Sequence, residues 1–82
     1  MPDKPTRESE EYRAARRILN NAVNTGCEYS IKMRGDNRYY GYVIHKGVVI
    51  ATGIGDTVEE CDIDLAAHYL PLHKQVAKYA MK

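Results

Sequence analysis

Tyr39-Tyr40-Gly41-Tyr42-Val43-Ile44-His45-Lys46-Gly47-Val48-Val49-Ile50-Ala51-Thr52-Gly53-Ile54-Gly55-Asp56-Thr57-Val58-Glu59-Glu60 decides how this chain folds. Arg38 to His45 is rich in tyrosine and β-branched residues, which suit a pleated surface. Lys46-Gly47 is two-residue hairpin chemistry, so Val48 to Gly53 returns as a second strand. After Gly53-Ile54-Gly55 a helix opens at Asp56 or Thr57, where Asp56 with Glu59, or Thr57 with Glu60, has capping-box spacing. Cys61, Leu65, Ala66 and Tyr69 then recur at helical spacing and make its buried stripe. Pro71 ends or kinks this helix, because proline has no amide donor and restrains the residue before it.

Upstream, Cys27 to Arg34 alternates without a break. Cys27, Tyr29, Ile31 and Met33 fall on one side, and Glu28, Ser30, Lys32 and Arg34 on the other. Gly35-Asp36-Asn37 is a turn, which makes a three-stranded antiparallel meander. A three-residue loop there places Tyr39, Val43 and Ile50 with Ile31 and Met33 in the core. Tyr40, Tyr42 and Ile44 then face outward beside Lys32, Arg34 and Arg38; a slip of one residue exchanges the faces.

Before the meander, Thr6 is the expected N-cap of a helix over about Arg7 to Asn24. Tyr12, Ala15, Ile18, Leu19, Ala22 and Val23 make its apolar stripe, Arg13, Arg16 and Arg17 share the opposite face, and Gly26 stops it. Residues 1–6 read as a flexible arm, and 7–82 as a single α-β-β-β-α domain of the α+β class with both helices on one face of the sheet. A second helical piece from Leu72 to Met81 presents Leu72, Val76, Tyr79 and Ala80, through which a homodimer could form.

The chain has 82 residues, 44% of them apolar and 28% charged, with a formal charge of +1. That length suits one small core and a shallow surface. No apolar run approaches the roughly 20 residues of a membrane span. Met1 to Glu11 lacks the apolar core of a secretory signal, so a cytoplasmic location with reduced thiols is expected, the host cytoplasm if the chain is phage-encoded. Cys27 and Cys61 read as small buried hydrophobes.

The charge is uneven: residues 1–46 carry +3, residues 47–73 carry −5 and residues 74–82 carry +3. His45, His68 and His73 do not combine with Cys61 in a usual zinc spacing, so no metal is expected. Ser9 and Ser30 are the available serines, and neither sits in a nucleophile elbow. Gly53-Ile54-Gly55 lacks the third glycine and the parallel context of a dinucleotide loop. Neither an enzyme nor a cofactor is expected.

Ile18-Leu19-Asn20, Gly35, Tyr39, Gly47, Gly53-Ile54-Gly55, Ala66 and Leu70 follow an order that resembles the double-stranded-RNA-binding domain family over roughly Ile18 to Leu70. That family opens its last helix with a lysine-rich run that spans groove phosphates, and reaches the minor groove with a glycine-proline-histidine loop. Here Val58-Glu59-Glu60-Cys61-Asp62 and Gly35-Asp36-Asn37 stand in those places. The strand-to-helix part is also similar to plant-type sheet-based DNA-binding domains and to antitoxins with a glycine-aspartate-threonine helix start, here Gly55-Asp56-Thr57.

These features predict a non-catalytic module that binds protein, of the kind phages and mobile elements encode as inhibitors. Asp56, Glu59, Glu60, Asp62 and Asp64 at an acidic helix start would mimic phosphate, and Tyr40, Tyr42, Arg34 and Arg38 would anchor a second patch. The alternative is an RNA- or DNA-binding protein that uses Arg13, Arg16, Arg17, Lys32, Arg34 and Arg38 through the sheet and first helix.

Overall fold

In the computed structural model of the chain, residue 6 and residues 8–69 are described. The order is α1 (Glu10–Asn24), β1 (Glu28–Met33), β2 (Tyr39–His45), β3 (Val48–Gly55) and α2 (Val58–His68). The strands form one antiparallel sheet in the order β1-β2-β3. α2 packs across β3 and β2, and α1 packs on α2 and β1, so both helices lie on one face. This is an α+β fold with the expected α-β-β-β-α order. No described helix is long and apolar enough to cross a membrane. The arm before Thr6, Pro71 and the Leu72–Met81 piece, with its dimer residues Leu72, Val76 and Tyr79, lie outside the described residues.

Helix α1 starts three residues later than the sequence suggests. Ser9, not Thr6, is the N-cap, and its hydroxyl accepts from the Tyr12 amide. The Thr6 carbonyl instead accepts from the Ser9 amide and hydroxyl, so the chain turns there before the helix begins. At the other end Gly26 has φ of 100°. The Cys27 amide reaches back to the Ala22 carbonyl at 3.0 Å and the Gly26 amide to that of Val23 at 3.1 Å, which closes the helix and aims the chain into β1.

Both hairpins take the expected turns, and the first takes the expected register, whereas in the second a bulge sets Ala51, not Ile50, opposite Val43. The Arg34 amide donates to the Arg38 carbonyl at 2.9 Å and the Asn37 amide to the Arg34 carbonyl at 3.0 Å, which leaves Gly35-Asp36-Asn37 as a three-residue loop. Asn37 takes its left-handed position, with φ of 64°. Tyr29 therefore pairs with Val43 and Lys32 with Tyr40. In the second hairpin Lys46 and Gly47 have φ of 51° and 81°, the two positive values of a tight turn whose twist matches the strands. A bulge follows: Val43 opposes Ala51 while Ile44 opposes Val49, so Ile50 has no cross-strand partner.

The core gathers Ala15, Leu19, Ala22, Cys27, Val43, Ala51, Leu65, Ala66 and Tyr69, with Tyr29, Ile50 and Ile63 packed on it. Ile18 and Val23, expected in the α1 stripe, are exposed, because the seam narrows to Ala15, Leu19 and Ala22. Met33, also expected inside, is 59% exposed. It ends an edge strand beside the first turn, where no described element covers it. α2 approaches closely because β3 is bare beneath it. A Cβ on Gly53 would stand 2.4 Å from the Leu65 amide nitrogen, and one on Gly55 would stand 2.4 Å from that of Cys61.

Candidate binding surface on the open face of the sheet

With both helices on one side, alternation sends Ser30, Lys32, Tyr40, Tyr42, Thr52 and Ile54 to the other. Lys32 pairs with Tyr40 and Ser30 with Tyr42; Tyr40 pairs in turn with Ile54 and Tyr42 with Thr52. The two tyrosines thus stand at the centre of the open face, each partly exposed. Val49 and Ile54 add exposed apolar surface on β3.

Polar contacts fix this centre. The Arg34 guanidinium lies 4.9 Å from the Tyr40 ring centroid, and its Nη2 donates to the Tyr42 hydroxyl at 2.8 Å. The Tyr40 hydroxyl donates to Asp36 Oδ2 at 2.6 Å, and the Arg38 amide donates to Asp36 Oδ1 at 3.0 Å. Arg38 Nε then pairs with Asp56 Oδ1 at 3.6 Å, which ties the first turn to the start of α2. The Tyr40 hydrogen bond holds the Asp36 carboxyl below its ordinary range, and the same bond raises the Tyr40 hydroxyl. Beside the tyrosines a shallow depression of about 430 Å³ is lined by Tyr40, Tyr42, Thr52, Ile54, Asp64 and His68. Arg34, Arg38, Tyr40 and Tyr42 therefore come together as the sequence suggests.

The five acidic residues do not form one surface. Asp62 is 1% exposed. Its Oδ1 accepts from the Tyr29 hydroxyl and its Oδ2 from Arg16 Nη1 at 3.3 Å, so it belongs to the interior and cannot serve as a surface phosphate mimic. Asp64 Oδ2 accepts from the Ile54 amide at 2.9 Å, and Asp64 Oδ1 lies 3.6 Å from His68 Nδ1. Of the two capping pairs, Thr57 with Glu60 is the one formed: the Thr57 hydroxyl accepts from the Glu60 amide at 3.1 Å and donates to Glu60 Oε1 at 3.3 Å. Asp56 stays on the surface, paired with Arg38, and Glu59 lies in the first turn of α2.

The six basic residues are divided as well. Arg13 and Arg17 flank Glu10 on the solvent side of α1. Arg16 does not share that face: it turns inward to Asp62, lies 5.2 Å from the Tyr29 ring centroid and bonds Asn20 Oδ1 at 3.2 Å. Lys32, Arg34 and Arg38 are on the far side of the sheet from α1.

Two relationships escape a linear reading. One is the Arg16–Asp62–Tyr29 cluster, where burial above all, and then the Asp62 carboxylate, raises the Tyr29 hydroxyl. The spacing of Asp62 offers a signal, since it lies between Cys61 and Leu65 on the buried stripe of α2. The other is Cys27 Sγ at 3.9 Å from His45 Nδ1, a packing contact that brings the ends of two strands together. Among the described residues no three His, Cys, Asp or Glu side chains group as metal ligands. Comparison with family models, curated proteins and solved structures returns no match for this chain.

Proposed function

We propose that this chain is a non-catalytic binding module that docks a protein partner on the open face of its sheet, around Tyr40, Tyr42, Arg34 and Arg38. The observation that carries this reading is the ordering of Tyr40 and Tyr42 by Arg34 and Asp36, flanked by exposed Val49 and Ile54. Held tyrosines with a polar tip and an apolar surround offer contact area at little entropic cost, which is the make-up of interface anchors. The α-β-β-β-α order is compatible with a double-stranded-RNA-binding-domain-like fold, and we take that likeness as architectural.

Nucleic acid is the second reading, favoured by cations and aromatics sharing this face. Phosphate neutralisation supplies most of such affinity, yet Arg38 is paired with Asp56 and Arg34 is stacked on Tyr40. A phage-type inhibitor acting as a phosphate mimic in a host cytoplasm is a narrower form of the protein-binding proposal. It draws on Asp56, Glu59 and Glu60, without Asp62.

Affinity capture with the intact chain, repeated with a Tyr40→Ala/Tyr42→Ala variant, tests the proposal. A protein held by the parent chain and lost with the variant supports it. Duplex RNA or DNA binding that weakens steeply with salt and disappears with Arg34→Ala/Arg38→Ala would overturn it.

A further inference from the structure

The two edges of the sheet differ. Arg34 exchanges backbone hydrogen bonds within the first hairpin, and in an antiparallel ladder such residues alternate. Ser30 and Lys32 therefore bond β2, whereas the N–H and C=O groups of Tyr29, Ile31 and Met33 point away from it. The Cys27 amide, in phase with these three, bonds Ala22 instead of β2, as this alternation requires. Among the described residues nothing pairs with that outer row. On β3, by contrast, the outward Ile54 amide is taken by Asp64.

We propose that β1 is a self-pairing edge, through which two copies of this chain join about a two-fold axis at Ile31, antiparallel and in register. That register places Tyr29 opposite Met33 of the second copy, Ile31 opposite Ile31, and Glu28 opposite Arg34. Every outward amide and carbonyl of the strand then finds a partner. Met33, 59% exposed in the single chain, gains a tyrosine neighbour. Glu28, which has no side-chain partner among the described residues, meets Lys32 on the diagonal and, directly, Arg34, whose bond to Tyr42 engages Nη2 and leaves its other nitrogens to a carboxylate. An isologous interface needs such self-complementarity, and the sequence Glu28-Tyr29-Ser30-Ile31-Lys32-Met33-Arg34 has it in charge and in apolar content. Shifting the register by two residues in one sense pairs Met33 with Cys27, whose amide is already engaged, and in the other sets Lys32 against Lys32 and Glu28 against Asp36, so the full-length register is the one chosen.

Sedimentation of the full chain over a concentration series reaching about 1 mM tests this. A dimer is expected, weakened about tenfold or more by Glu28→Arg or by Arg34→Glu alone and returned towards the parent value when both are combined. Ile31→Pro, which among the backbone donors removes one that points away from β2, is expected to leave the circular dichroism spectrum in place and abolish association. A chain that stays monomeric throughout, or a dimer indifferent to the charge exchanges, overturns the proposal. So does a dimer that the combined exchange fails to restore.

Discussion

The Tyr29 hydroxyl on β1 donates to the Asp62 carboxylate on α2 beneath the Arg16 guanidinium of α1, so one buried acid joins three elements. Asp62 is 1% exposed, whereas the Arg16 side chain retains 34% exposure and access to water. Removing the acid therefore strands the tyrosine more than the arginine. Asp62→Ala is expected to lower stability by about 3 kcal/mol and Tyr29→Phe by about 1 to 2 kcal/mol. Urea unfolding of the single and double variants checks this: the pair should be clearly non-additive, and additive losses would mean that the contact is not energetic.

Alkaline pH should destabilise the protein. Burial pushes the Cys61 thiol from its ordinary 9.0 up to about 11. The folded state then holds a proton that the unfolded chain releases, so stability is full below pH 9 and falls as pH rises towards 11. Over that window the loss is about 2 to 3 kcal/mol. Tyr29, raised chiefly by burial, extends the decline above pH 10. Thermal melts from pH 7 to pH 11 should show a slope that Cys61→Ala flattens between 9 and 10 (about 1 kcal/mol of difference).

Gly53→Ala is expected to cost about 3 kcal/mol or more, because the added methyl meets the backbone of Leu65 and forces α2 off the sheet. Gly35 is the control. A Cβ there meets nothing within 4 Å and its φ is not positive, so Gly35→Ala should be neutral or stabilise by about 0.4 to 1 kcal/mol. Equal losses at the two sites would contradict the close packing of α2.

Lys46 holds φ of 51° in the second hairpin, a region that asparagine tolerates better than lysine. Lys46→Asn creates the preferred pair for this turn and should raise stability by about 0.5 to 1 kcal/mol without changing the register. A lower denaturation midpoint would count against the assigned turn.

Much of the fold was legible because three local signals agree: unbroken alternation over Cys27 to Arg34, a three-residue turn at Gly35-Asp36-Asn37, and a two-residue turn at Lys46-Gly47. Together they set both faces of the sheet and brought Tyr40 and Tyr42 to the side away from the helices. The acidic site was less legible. Asp56, Glu59, Glu60, Asp62 and Asp64 are neighbours in sequence, but helical rotation sends Asp62 into the core and Asp64 to the edge of β3. Arg16 was misplaced for the same reason, since its partner lies 46 residues away. Spacing fixes local direction; only packing shows which charges meet.

The hydrogen bond from Ile54 to Asp64 also limits what a strand-paired assembly can become. An acid seated on a backbone donor repels an incoming strand at that flank, in the way natural sheets avert runaway association. With the Ile54 amide on one flank taken and the other flank self-complementary, the proposed joining of two chains would use up the reactive border, so growth is expected to stop at the dimer.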